Sequence, residues 1–316
     1  MTTPQIKEEE LNMESLTWGD LTWVDIAPPT EKETEYLAQN YPFHPLDLDD
    51  TISRIQRPKI DEYEDYLFLV LHFPQFHKEA RVITTSQVSV FIGEKYLVTL
   101  HNGELKPLVK LFRQCQIDEE IRQAHFNQGS GYLLYRILDR LVDYLFPILD
   151  KTLEAMENVE DSVFDEKVEV AEELAVLRRN IIAQRRIIWP MRATIGSLEP
   201  KLRRFTKMDL AVYFGDMIDH MDKVWDTLDE CKEVIEVFKD TDYVLSTEYL
   251  NRVLRVLTVL STIFLPFLVV TSLYGMNIPL PGGIEKGSPQ SFMLLLFVML
   301  LMTGGMLYFF HRRHWI

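Results

Sequence analysis

Tyr274-Gly275-Met276-Asn277 is the run whose side chains point most directly to chemistry in this chain of 316 residues. It sets a phenol, a thioether and a carboxamide at the end of one long apolar segment, a short loop before a second. Polar groups at the tip of a membrane hairpin are placed to meet whatever crosses at its mouth. A second set leads up to it. Asn251, Leu254, Thr258, Ser261, Leu265, Leu268 and Ser272 recur at alternating steps of three and four, a heptad-like seam. Ser and Thr are common where membrane helices pack. The same hydroxyls, repeated around a ring of copies, would wet a pore wall, and the leucines between them would close it by dewetting. Periodicity leaves both readings open.

A third set is acidic: Glu154, Glu157, Glu160, Asp161, Asp165, Glu166, Glu169, Glu172 and Glu173. Singly these read as a solvated helix face. As a ring of copies near a pore exit they would hold a cloud of cations. His72 and His77 flank Pro74 without a partner at metal-ligand spacing and read as structural or exposed. The sequence has no P-loop, HExxH or Gly-rich dinucleotide turn, so no catalytic residue is assigned and the chain does not read as an enzyme.

The elements that must position these groups are legible from hydropathy and charge. Val253–Leu273 and Phe292–Phe310 carry no charge. Each is about 20 residues, enough to cross a hydrocarbon core of roughly 30 Å. One mid-helix charge costs about 2.5–3.5 kcal/mol on insertion scales. Arg252 and Arg255 stand at the start of the first segment. Arg312 and Arg313, between His311 and His314, follow the second. The intervening loop carries only Glu285 and Lys286. The positive-inside rule therefore predicts a multi-pass protein of the inner or plasma membrane, with both termini and the body cytoplasmic. Pro266 interrupts the first segment, and Thr303-Gly304-Gly305 in the second allows close approach of a neighbour. One hairpin cannot enclose an aqueous path, so a channel of this design is a symmetric oligomer with the first helices as its inner ring.

The rest reads as soluble. The net charge of −15, from 33 Lys and Arg against 48 Asp and Glu, argues against nucleic acid as a partner. Cys115 and Cys231 lack a metal-site or disulfide context and fit a reducing cytosol. The first residues lack the basic and apolar regions of a cleavable signal. Residues 15–125 read as mixed α/β. Tyr66–Leu71 is a buried-strand run, Gln87–Ile92 and Tyr96–Leu100 form a hairpin about Gly93-Glu94-Lys95, and Pro45–Asp50 begins a helix. From about Tyr132 the period is helical. One stretch runs to about Arg186, a turn region is marked by Pro190, Gly196 and Pro200, and a second stretch runs from near Met208 into the membrane. That second helix would reach on the order of 90 Å. The predicted divisions are a cytosolic α/β domain over 1–130, long helices and stalk over 131–250, membrane helices over 251–274 and 292–311, a loop over 275–291 and a basic tail over 312–316.

Taken together these runs resemble the CorA family of divalent-cation transporters. Tyr274-Gly275-Met276-Asn277 matches its signature, Asn251–Thr258 through Phe264-Leu265-Pro266 its pore helix, and Ile188-Trp189-Pro190-Met191-Arg192 its inter-helix turn. Tyr213-Phe214-Gly215-Asp216 and Gln56-Arg57-Pro58-Lys59 also recur in it. The resemblance implies an α+β cytosolic domain of α/β/α funnel form, a very long stalk helix and two C-terminal transmembrane helices, assembled as a homopentameric channel. It implies Mg²⁺ as the transported ion, with Co²⁺ and Ni²⁺ as further cargo, and Mg²⁺ again as regulatory ligand. Gly275, Met276 and Asn277 would form the selectivity filter. Mg²⁺ gives up its waters reluctantly, so a ring of Asn277 amide oxygens would accept hydrogen bonds from the hydrated ion. Leu254, Leu257 and Leu265 would form the constriction. Asp50 and Asp216 fall on the family's bridging sensor acids between subunits. Asp49, Asp139 and His220 fall on a second site, where a family histidine is replaced by Ile55. The family's Met-Pro-Glu-Leu stretch after the triad is also missing, replaced by Ile278–Lys286. Two alternatives stand beside this reading: a proton-coupled zinc transporter of the same superfamily, and a membrane-anchored signalling or scaffold protein.

Overall fold

The computed structural model describes residues 11–53, 56–163, 170–276, 289–313 and 315. The chain divides into two compact units, the second running from Asp240 onward.

The first unit is built on a sheet of β1 (Met13–Trp18), β2 (Leu21–Ile26), β3 (Lys59–Glu62), β4 (Tyr66–His77), β5 (Val82–Gly93) and β6 (Tyr96–His101). The order is β1-β2-β6-β5-β4-β3. Among the described strands, only β2 and β6 pair in parallel. The unbroken apolar run in β4 reflects burial on both faces. Leu67, Leu69 and Leu71 enter one core, Phe68 and Val70 the other. The expected hairpin is present, with Glu94-Lys95 as its turn and Val90 opposite Thr99. A Cβ at Gly93 would meet the end of the Tyr96 ring, which would have to shift to admit it.

Helices α1 (Glu31–Asn40) and α2 (Pro45–Ile52) cover the second core through Leu37 and Leu48. Thr30 and Glu33 form a capping box at the start of α1. α2 opens with Pro45 at its first position, and the His44 ring accepts from the Leu46 N–H at 3.2 Å. The other face is covered by α3 (Lys106–Ile117), α4 (Glu119–Phe126), α5 (Ser130–Asp143), α6 (Leu145–Val163), α7 (Ala171–Gly196), the short α8 (Glu199–Leu202) and the start of α9 (Ala211–Gly275). The result is an α/β/α body.

Two expectations change. The helical stretch to Arg186 is not one helix but three, α5 to α7. Pro190 is not in a turn but inside α7, which continues to Gly196. Proline there removes an N–H from the helix ladder. Ile187, Ile188 and Met191, each at most 3% exposed, hold the turn by burial. The chain reverses instead over residues 197–210.

α7 and α9 form an antiparallel heptad pair. One buried row on α7 is Leu174, Leu177, Ile181, Gln184, Ile188, Met191 and Ile195, beside buried Asn180, Ile187 and Thr194, and the buried row on the first part of α9 is Phe214, Met217, Met221, Val224, Leu228, Cys231, Ile235 and Phe238. Both rows alternate three and four. Ion pairs Arg192–Asp222, Arg185–Asp229 and Arg178–Glu236 flank them, stepping by seven down one helix and up the other. Trp189 lies against Trp225 in the same register, the rings 4.9 Å apart and tilted by 40°.

In the second unit, the C-terminal part of α9 and helix α10 (Pro289–Arg312) are long and apolar enough to cross a membrane, and almost none of either apolar window is buried. α10 begins before the expected Phe292. A narrow crevice between the two is lined by Ile263, Pro266, Phe267 and Val270 of α9 and Met299, Met302, Thr303 and Met306 of α10.

Candidate functional site

The predicted pathway residues lie on one side of α9. Asn251, Leu254, Leu257, Thr258, Ser261, Leu265, Leu268 and Ser272 are all exposed, Leu268 at 67%. None belongs to the set that faces α10. Within one chain, then, helix packing does not use the hydroxyl stripe. Thr258 Oγ1 donates to the Leu254 carbonyl at 2.7 Å. That bond spends the hydroxyl proton on the helix and leaves oxygen lone pairs on the exposed side.

Gly275 is the last residue of α9, and the Met276 N–H donates to the Leu273 carbonyl at 3.3 Å. Met276 is exposed. Asn277 and Ile278–Lys286 lie outside the described residues, as do Ile55, Asp165, Glu166 and Glu169. The remaining acids of that run, Glu154, Glu157, Glu160, Asp161, Glu172 and Glu173, are exposed, as a solvated face requires.

The acids of the first unit fall into two places. On α2, Asp49 is exposed and Asp50 is half-buried. Asp50 Oδ2 is paired with Lys59 Nζ at 2.7 Å, and the same ammonium meets Asp61 at 2.5 Å. Burial pulls the Lys59 ammonium down, but its bonds to Asp50 and Asp61 outweigh this and hold it above the usual lysine range. One turn earlier, Asp47 is buried and bonded by the Tyr66 hydroxyl at 3.2 Å. Burial pushes its carboxyl up, against the opposing bonds from Tyr63 and Tyr66.

The second place is where α5 meets α9. Asp139 is paired with Arg136 at 3.4 Å. The His220 ring lies 3.6 Å from Asp143 and 3.9 Å from Asp216. Burial raises the Asp139 carboxyl, and the negative charges of Asp143 and Asp216 raise it further. The structure thus groups Asp139 with Asp216 and His220, and places Asp49 and Asp50 on a different element. Asp143 was not anticipated, although its spacing of four from Asp139 matches that of Asp216 and His220 and could have disclosed it. Among the described residues, no three His, Cys, Asp or Glu side chains converge closely enough to hold a metal ion.

His72 is buried, and His77 bonds Thr84 at the surface at 2.7 Å. Cys115 and Cys231 are free and buried.

Comparison with known proteins agrees with this architecture. The family model described as CorA-like Mg²⁺ transporter protein matches residues 18–312. The putative metal ion transporter YfjQ of Bacillus subtilis is 30% identical, the match covering 97% of this chain and 92% of the relative. The cobalt/magnesium transport protein CorA of Thermotoga maritima is 27% identical over 95% and 83% of the two chains. The zinc transport protein ZntB of Pectobacterium carotovorum is 24% identical over 82% and 77%. Among solved structures, the complete CorA magnesium transporter of Methanocaldococcus jannaschii superposes with a TM-score of 0.78 at 24% identity, covering 99% of this chain and 95% of that one. With a body, a long helix and two apolar C-terminal helices in the same order, this chain belongs to the CorA-like Mg²⁺ transporter family.

Proposed function

We propose that the chain is the subunit of a homopentameric, potential-driven channel that takes up Mg²⁺, and also Co²⁺ and Ni²⁺, with both termini in the cytoplasm. The observation that carries this is the exposed stripe on α9, apolar and hydroxyl-bearing by turns, which α10 leaves uncovered. A scaffold anchored by two helices has no use for it. Five copies would line a pore with it, ending outside at Gly275, Met276 and Asn277. The zinc reading is kept by one observation on this chain. The Ile278–Lys286 loop sets its only acid, Glu285, beside Lys286, so Asn277 would select the ion largely alone.

Cytosolic Mg²⁺ is proposed as the regulator. Carboxylate oxygens are the ligands Mg²⁺ takes, so Asp50, Asp216, Asp49 and Asp139 fit it in kind. A single chain brings together no complete set among the described residues. An ion bridging Asp50 of one copy and Asp216 of the next would complete its shell with water. At high internal Mg²⁺ these bridges would hold the ring closed at Leu254, Leu257 and Leu265. On their loss, repulsion between the carboxylates would loosen it.

The test is uptake by purified protein in liposomes, with Mg²⁺, Co²⁺ and Zn²⁺, with and without a proton gradient. Mg²⁺ uptake driven by membrane potential alone, blocked by cobalt hexaammine and lost in Asn277→Ala, is the expected result. Zn²⁺ uptake that requires the proton gradient would instead establish the zinc reading. Undiminished function of Asn277→Ala with no ion flux from either protein would favour the scaffold.

A further inference from the structure

We infer that Lys59 is a built-in competitor for the cation at Asp50, so that a divalent ion gains this carboxylate only by displacing the lysine ammonium. The inference rests on the reading of Asp50 as a regulatory carboxylate given above.

The geometry is specific. Lys59 and Asp61 are two apart on β3 and so share a face of the strand. Asp50 approaches from the last turns of α2. The ammonium sits between the two carboxylates, 2.7 Å from Asp50 and 2.5 Å from Asp61. It also lies 5.2 Å from the centre of the Phe68 ring. A cation bridging two carboxylate oxygens at contact distance occupies the space a divalent ion would need. The group is neither sealed nor bare: the Lys59 side chain is 33% exposed and that of Asp50 22%. An incoming ion can therefore reach the pair, and Lys59, on its flexible four-carbon stem, can leave.

The consequence is a shifted threshold. A bare Asp50 would take its share of a divalent ion at low concentration and hold the regulator occupied. With Lys59 on it, binding must first break that contact, so occupancy begins only at higher Mg²⁺. Asp61 has a second part in this. It draws the ammonium away from Asp50, and without it Lys59 would rest wholly on Asp50.

The test uses the full-length protein in detergent and follows its melting temperature against Mg²⁺ concentration, since an ion that binds the folded form raises it. The variants are Lys59→Met, Asp61→Asn, the two combined, and Asp50→Asn. Lys59→Met is expected to lower the Mg²⁺ midpoint by about two- to fivefold, the range of one partly exposed ion pair. Asp61→Asn is expected to raise it, and by less in the Lys59→Met background, because part of its effect acts through the lysine. An unchanged midpoint in Lys59→Met, with the response abolished in Asp50→Asn, overturns the inference and leaves the Asp50 reading intact. A wild-type response in Asp50→Asn removes that reading, and the inference with it. If Lys59→Met does not fold, Lys59→Gln takes its place: a lower midpoint supports competition, and an unchanged or higher one refutes it.

Discussion

His125 shows what a single residue commits the molecule to. Its ring is buried, and Nδ1 lies 2.7 Å from the Ile121 carbonyl. A carbonyl only accepts, so Nδ1 carries the proton and Nε2 is the bare nitrogen, buried with no partner. Burial lowers its pKa from the ordinary 6.5, the bond to Ile121 opposes this, and Arg136 and Arg140 lower it further. The unfolded chain therefore binds the proton more tightly than the folded one. The stabilisation is present in full above about pH 6.5 and is lost as pH falls through that value towards the folded one. His72 is lowered by burial in the same way. The melting temperature should fall as pH drops below about 6.5, and His125→Leu should make that fall shallower. An unaltered slope in the variant would count against a neutral His125. At this scale the sequence was legible where a residue type meets a position with one use, as Pro45 does at a helix start. It was not legible for Asp143 or for the Lys59 bridge. Those depend on which elements meet, and no spacing along the chain encodes that.

Among the elements, α7 and α9 illustrate the same limit differently. Their heptad rows are uninterrupted in the structure, but Gln184 breaks the Leu and Ile row on α7, and that on α9 mixes Phe214, Met217, Met221, Val224, Cys231 and Phe238 with Leu228 and Ile235, so it does not stand out as a seam. Gln184 is tolerated because it donates to Thr152 Oγ1 at 2.8 Å. Pro190 also read as a break, since its local cost is visible in sequence and its compensation by burial is not. By contrast β4, β5 and β6 were readable, because apolar runs closed by a Gly-containing turn have few other uses. The energetics of the α7–α9 pair should follow burial and not its conspicuous ion pairs. Leu228→Ala leaves a cavity in the seam and should cost about 2–5 kcal/mol. Arg178→Met breaks a pair whose side chains are 51% and 40% exposed and should cost less than about 1 kcal/mol. Melting of the full chain compares the two, and equal losses would mean that the ladder, not the core, holds the helices together.

For the whole molecule, α9 is the element common to both units. Carrying the three-four alternation on from Phe238 arrives at Val259, Ile263, Pro266 and Val270. Val259 is buried, and the other three line the crevice with α10. The stripe Asn251, Leu254, Thr258, Ser261, Leu265, Leu268 and Ser272 repeats with the same spacing but two residues out of phase, and it is exposed. One helix thus assigns one face to its own chain and a different face to the proposed pore. If α9 conveys the state of the body to the pore, the phase between these faces is what it must preserve. Inserting one alanine between Asp240 and Leu250 turns everything beyond it by about 100°, whereas seven residues turn it by about 700°, only some 20° short of two full turns. The one-residue insertion should abolish Mg²⁺ uptake in liposomes while the body melts as before. The seven-residue insertion should retain uptake despite displacing the membrane segment further along the helix axis. Equal uptake from the two insertions would show that α9 serves only as a tether and that phase carries nothing.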